Sequence, residues 1–326
     1  MTAALTLDDL RVASELVYQT LGGPTPAYAW PLLARRAGCE VWVKHENHTP
    51  IGAFKVRGGL VYMDHLARSG AKVTGVISAT RGNHGQSIAL AARKAGLDAV
   101  IYVPQGNSTE KNAAMAALGA ELVEHGRDFD EAKHACEHTA RERGLHMVPS
   151  FDPLLVKGVA TYGLEFFQQA PDLDVVYVPI GMGSGICGTI AARDALGLST
   201  EVVGVVAEGA PAVALSFEAG RPVPTNEART FADGMACREP HPDALDIMMK
   251  GAARIVRVSD EAIADAIRFY YEDTHNLAEG AGAAGLAALM AERDQMKGRR
   301  AGVILSGGNI DRPLYGEVLA GRTPGM

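Results

Sequence analysis

The run Asp174-Val175-Val176-Tyr177-Val178-Pro179-Ile180, followed by Gly181-Met182-Gly183-Ser184-Gly185 and a helical stretch through Ala195, decides the fold class. A β-branched run this short reads as a buried strand, and the glycines turn the chain directly into a helix. Backbone N–H groups in such a turn face an anion, and the helix N-terminus adds a favourable field of about 0.3–2 kcal/mol. Working outward, the same alternation recurs almost throughout. Strands are predicted at 40–45, 74–78, 99–104, 121–125, 146–149, 201–208, 254–258 and 301–306, and helices at 86–95, 109–118, 130–143, 154–169 and 260–271. Strand-helix alternation of this kind means an α/β protein with parallel sheets covered by helices on both faces. So many strands suit two α/β domains better than one sheet. In open α/β sheets the ligand sits at the carboxyl ends of the strands.

The glycine turn admits two ligands. It is a phosphate cradle, but Gly183-x-Gly185-x-x-Gly188 also satisfies a dinucleotide fingerprint, with Glu208 near the end of the next strand placed to hold a ribose. Three other segments decide between a nicotinamide-dependent oxidoreductase and something else. In Gly52-Ala53-Phe54-Lys55-Val56-Arg57-Gly58-Gly59, Lys55 stands between an aromatic residue and the opening of a helix. Desolvation there disfavours the ammonium form and frees the amine to hold an aldehyde as a Schiff base. Thr80-Arg81-Gly82-Asn83-His84-Gly85-Gln86 follows one predicted strand, and Ser306-Gly307-Gly308-Asn309 closes the last. The dinucleotide reading leaves Lys55, Asn83 and Ser306 without a role.

With its four segments in order from about Gly23 to about Asp311, the chain resembles the fold-type II pyridoxal phosphate enzymes, within them the threonine dehydratase and serine racemase branch. The resemblance implies a two-domain, tryptophan synthase β-like architecture, with a small domain at 72–149 inserted in a large cofactor-binding domain made of 1–71 and 150–326. It implies that Lys55 carries the cofactor and removes the Cα proton, with Phe54 beside it. Gly181, Met182, Gly183, Ser184 and Gly185 would hold the phosphate, Asn83 would donate to the phenolic oxygen from a turn ahead of the helix at Gln86, and Ser306 would face the pyridine nitrogen. A neutral hydroxyl there leaves the ring unprotonated, which favours prompt β-elimination over long-lived carbanions. Glu279 matches an acid near the ring. Thr80, Arg81, Gly82, Asn83 and His84 would hold the α-carboxylate of the substrate, with no proton-transfer role assigned to His84.

Three positions depart from the family pattern. Ala53 replaces the usual serine before Phe-Lys. Arg81 stands where the racemases carry a serine acting as a second acid/base, and an arginine cannot relay a proton. The family's cation is held by an acid, a carbonyl and a second acid. Glu208 and Ala212 match the first two, but Ala214 occupies the third place, so a monovalent ion or none is expected rather than a tight divalent one. The resemblance thus implies a β-hydroxy-α-amino acid ammonia-lyase giving a 2-oxo acid and ammonia. The substrate would be L-threonine or L-serine by default, with 3-phenylserine or 3-hydroxyaspartate suggested by Ala53 and Arg81. A racemase and a cofactor-binding protein without catalysis are the alternatives within the fold.

Composition bounds the partners. The 326 residues are 47% hydrophobic and 21% charged with a formal charge of -7, which suits a soluble globular protein with a substantial core. Without Lys/Arg clusters, neither nucleic acid nor an anionic membrane is an expected partner. The first ten residues carry acids where a signal peptide carries bases, and no long apolar run is unbroken, so a cytoplasmic enzyme is expected. Cys39, Cys136, Cys187 and Cys237 are too dispersed for a zinc site or a disulfide framework. The family is commonly dimeric, which makes a homodimer the expected assembly. About fifteen residues follow Asp311, fewer than a regulatory domain requires, so feedback control by amino acids is not expected.

Overall fold

The computed structural model describes residues 4–127 and 129–325. Its strands are β1 (Ala27–Ala29), β2 (Glu40–His45), β3 (Gly75–Ala79), β4 (Asp98–Val103), β5 (Glu121–Glu124), β6 (His146–Met147), β7 (Val175–Pro179), β8 (Glu201–Ala207), β9 (Arg254–Val258) and β10 (Arg300–Leu305). They form a six-stranded sheet in the order β1-β2-β10-β7-β8-β9 and a four-stranded sheet in the order β5-β4-β3-β6. Every pairing is parallel except β1 against β2. The four-stranded sheet comes wholly from residues 75–147, between β2 and β7 of the larger one. The inner strands β7, β8 and β10 are buried along nearly their whole length, because helices cover both faces and no position can alternate with solvent.

The helix Lys55–Arg68 is gripped between two others, and glycines make the grip possible. A Cβ at Gly58 would stand 2.9 Å from the Leu155 carbonyl oxygen, and one at Gly158 would stand 2.3 Å from the Arg57 carbonyl oxygen. On the other side a Cβ at Gly59 would meet Ser87 Oγ at 2.3 Å. Backbone therefore lies directly on backbone one turn past Lys55, which fixes the position of the helix start between Pro153–Gln169 and Asn83–Ala95.

Beneath that start lies a buried charge network. Arg57 donates to Glu46 (2.7 Å), Glu165 (2.6 Å), Thr161 (2.9 Å) and Thr25 (3.0 Å). Lys44 completes it, donating to Glu165 and the Thr25 carbonyl at 2.6 Å each. Arg57, Lys44 and Glu46 are fully shielded from solvent. Two cations and two carboxylates balance, and each charged group is hydrogen-bonded, the condition under which buried charges are tolerated.

Candidate active site

The carboxyl ends of β3, β7 and β10 converge, with the start of the helix Lys55–Arg68, on one cleft between the sheets, of about 1000 Å³ with its open mouth included. Phe54, Lys55, Thr80, Arg81, Gly82, Asn83, His84, the whole segment Gly181 to Gly185, Glu279 and Ser306 all line it. The four segments singled out in the sequence are thus brought together. Glu208 is not among the lining residues; it is exposed just beyond β8, while Ala212 and Ala214 are buried in the following helix. Among the described residues no group of three or more His, Cys, Asp or Glu side chains could hold a metal ion.

Lys55 is the first residue of its helix, and its approach is pinned to the end of β10. Ala53 bridges Gly307 in antiparallel fashion, and Phe54 N–H donates to the Ser306 carbonyl at 3.0 Å. Phe54 stands edge-on to Tyr162, with ring centroids 5.9 Å apart, and carries the Lys55 ammonium 5.0 Å above its face. Among the described residues the one polar partner of the Lys55 amine is Ser184 Oγ at 3.0 Å. Burial without a carboxylate beside it brings the amine down to about 8.

Ser184 opens the helix Ser184–Ala195, whose N-cap Gly183 has φ +100°, a conformation that only glycine adopts freely. Gly181 is required for a different reason. A Cβ there would stand 2.2 Å from the Gly234 carbonyl oxygen, so the turn at Asp233–Met235 lies against the cradle. Opposite, Thr80 Oγ1 accepts from Gly82 N–H at 3.0 Å and shapes the loop. The expected turn at Asn83 is corrected: the helix runs Asn83–Ala95, with Asn83 as its first residue. Its side chain is held from outside the helix by Glu279 (2.6 Å) and Asn309 (2.8 Å), partners that local sequence does not supply. Burial and the Lys55 charge press His84 down to about 3, so it is a neutral imidazole.

Two cleft residues went unforeseen. Lys111, from the helix Thr109–Ala117, donates to Asp233 at 2.6 Å and lies 3.5 Å from Glu279. In sequence both read as solvated charges, Lys111 on a short helix and Asp233 in an irregular stretch; no local signal marks them. Lys111 therefore lines the same cleft as Lys55.

The fit of pyridoxal phosphate can be tested on this geometry. His84 Nε2 and Glu279 Oε2 are buried without a hydrogen-bond partner among the described residues, and no side chain caps the N-terminus of the helix Ser184–Ala195 at the end of the Gly181 to Gly185 turn. A half-buried amine, unpaired polar atoms and a bare helix N-terminus in one cleft suit an aldehyde-bearing phosphate monoester.

The comparisons agree. The family described as "Pyridoxal-phosphate dependent enzyme" matches residues 18–307. The chain is 35% identical over 316 residues to the L-threonine ammonia-lyase of Thermotoga maritima, covering 97% of this chain and 78% of that one. It is 29% identical over 302 residues to the L-threo-3-hydroxyaspartate ammonia-lyase of Saccharomyces cerevisiae, covering 92% of each. A solved pyridoxal 5'-phosphate-dependent aspartate racemase superposes with a TM-score of 0.90 at 27% identity, covering all of both chains. The match spans the fingerprint at Gly183 to Gly188 and sets the dinucleotide alternative aside. The chain belongs to the pyridoxal-phosphate dependent enzymes of fold type II, in the threonine/serine dehydratase branch.

Proposed function

We propose that the protein is an ammonia-lyase that converts a β-hydroxy-α-amino acid to a 2-oxo acid and ammonia. The observation that carries this reading is the Lys55 amine, lowered to about 8 in the centre of the cleft, with the Thr80 to His84 loop across from it. Bound pyridoxal phosphate supplies the electron sink that makes the Cα proton removable. Lys55, neutral in a sizeable fraction at physiological pH, takes that proton. The N-terminus of the helix Asn83–Ala95 and the loop ahead of it offer N–H groups to the α-carboxylate. The Gly181 to Gly185 cradle would hold the phosphate, and the neutral Ser306 hydroxyl would meet the ring nitrogen without protonating it, which favours prompt loss of the β-hydroxyl over a long-lived carbanion. The enamine then released tautomerises and is hydrolysed, so that the water lost is regained and ammonia leaves.

Elimination is favoured over racemisation by Arg81. It is exposed at the cleft wall and cannot return a proton to the face of Cα opposite Lys55. The segment 72–149 would act as the smaller domain bordering the cleft. A cation held by Glu208 and the Ala212 carbonyl alone would be monovalent and weakly bound. Incubation of the cofactor-loaded enzyme with L-serine, L-threonine, 3-hydroxyaspartate and 3-phenylserine tests the proposal. Release of 2-oxo acid and ammonia in equal amounts from at least one is expected, and release from none overturns it.

Arg81 also bears on substrate choice. A charge-assisted contact from its guanidinium to a distal carboxylate, or stacking on an aromatic ring, contributes about 1.5–3 kcal/mol. Arg81→Ser should lower kcat/KM for the preferred acidic or aromatic substrate by about ten- to a hundredfold, with a much smaller loss for L-serine. Equal losses for both would show that Arg81 serves the shared α-carboxylate instead.

A further inference from the structure

The Asn309 amide nitrogen donates to the Ile51 carbonyl at 2.7 Å and to Asn83 Oδ1 at 2.8 Å. A backbone carbonyl only accepts, so the Asn309 amide cannot be reversed, and Asn83 must present its oxygen to it. That turns Asn83 Nδ2 to Glu279 Oε1 at 2.6 Å and leaves one hydrogen of the Asn83 amide for the cleft. The other oxygen of Glu279 lies 3.5 Å from Lys111 Nζ, within ion-pair range but without a hydrogen bond. Lys111 Nζ in turn donates to Asp233 at 2.6 Å. Its stem runs under the substrate loop, since a Cβ at Gly82 would stand 2.4 Å from Lys111 Cδ. One polar chain thus extends from Asp233 through Lys111, Glu279, Asn83 and Asn309 to the loop that leads into Lys55.

We propose that Lys111 is a positioning residue: its ammonium favours the carboxylate form of Glu279, and that carboxylate fixes the Asn83 amide so that one N–H is kept for the cofactor. The proposal rests on the cleft being the cofactor site and is independent of which amino acid is transformed there. Glu279 is faced by Lys111 from the helix Thr109–Ala117 and by Asp233 from the turn Asp233–Met235; Arg81 lines the same two cavities as Glu279, and Asn83 is uncharged. Burial raises the Glu279 carboxyl to about 7 even with Lys111 pulling it down, and Asp233 adds to the rise. A protonated Glu279 would lose much of its hold on Asn83, because an ionised acceptor makes the stronger hydrogen bond.

Two substitutions with opposite expected signs test this. The pH midpoint of Glu279 is read by carbon NMR of carboxyl-labelled protein without cofactor and assigned by its loss in Glu279→Gln. Dissociation of pyridoxal phosphate is followed in parallel through its visible absorption. Lys111→Met, which keeps the stem, should raise the midpoint by about one unit or more and weaken cofactor retention about tenfold at neutral pH. Asp233→Asn, which leaves Lys111 free to serve Glu279, should lower the midpoint, and Lys111→Arg should restore wild-type retention. Midpoints unchanged within about 0.2 unit in both variants, or shifted in the same direction, would overturn the proposal. Should Lys111→Met fail to fold, Lys111→Gln, which also removes the charge, takes its place in the same two measurements. Absence of 2-oxo acid release by the wild type would leave these shifts intact and count only against the ammonia-lyase reading.

Discussion

Replacing Lys55 by alanine is expected to abolish the visible absorption of the reconstituted protein and to lower turnover by at least about 10³-fold, since one group supplies both the covalent attachment and the proton transfer. The fold should survive, because the Lys55 amine makes one hydrogen bond, to Ser184, and the helix start is held by Gly58, Gly59 and Arg57 instead. Circular dichroism alongside the absorption spectrum checks both parts. The lowered amine value adds a pH signature in the wild type. Only the neutral amine attacks an aldehyde, so uptake of pyridoxal phosphate by the cofactor-free protein should rise about tenfold per unit as pH approaches 8 and level off above it. An ordinary lysine would keep gaining up to about pH 10. A variant that keeps the visible band would place the attachment elsewhere, and Lys111 would be the lysine to examine.

The second large effect concerns stability. Arg57→Met should cost about 3–5 kcal/mol, because it leaves Glu46 and Glu165 buried with Lys44 as their remaining cation. Lys44 donates to Glu165 and makes no hydrogen bond to Glu46, so Glu46 would lose the only charged hydrogen-bonding partner it has among the described residues. The cost falls on the segment that carries Lys55, since Arg57 lies in the first turn of the same helix. A urea unfolding midpoint lowered by the equivalent amount is the expected result. A loss below about 1 kcal/mol would mean that the two carboxylates take up protons or water at little cost.

How much of this was legible in the sequence depended on whether the cause was local. Buried parallel strands announce themselves as β-branched runs, so the strands from residue 40 onward were located to within one or two residues. The edge strand Ala27–Ala29 was not predicted: three residues carry no periodic signal, and the strand exists through its antiparallel pairing with Lys44, Val43 and Trp42. The glycine cradle and Lys55 were legible because each requires a particular residue type at its place. Asn83 was found as a site residue but misplaced in a turn, since what fixes it is Glu279 and Asn309, each more than 190 residues away in the chain. Lys111 and Asp233, like Lys44 and Glu165 in the buried network, look like ordinary surface charges until the tertiary structure sets them side by side.

The central claim is that this cleft removes the Cα proton and then expels the β-hydroxyl. Proton NMR of the cofactor-loaded protein turning over L-threonine, or whichever β-hydroxy amino acid it prefers, in deuterium oxide tests it most directly. The ammonia-lyase reading predicts a 2-oxo acid carrying one deuterium at carbon 3, ammonia in equal amount and little deuterium in the remaining substrate. Substrate recovered with deuterium at an inverted Cα, without 2-oxo acid, would contradict it and make the protein a racemase or epimerase.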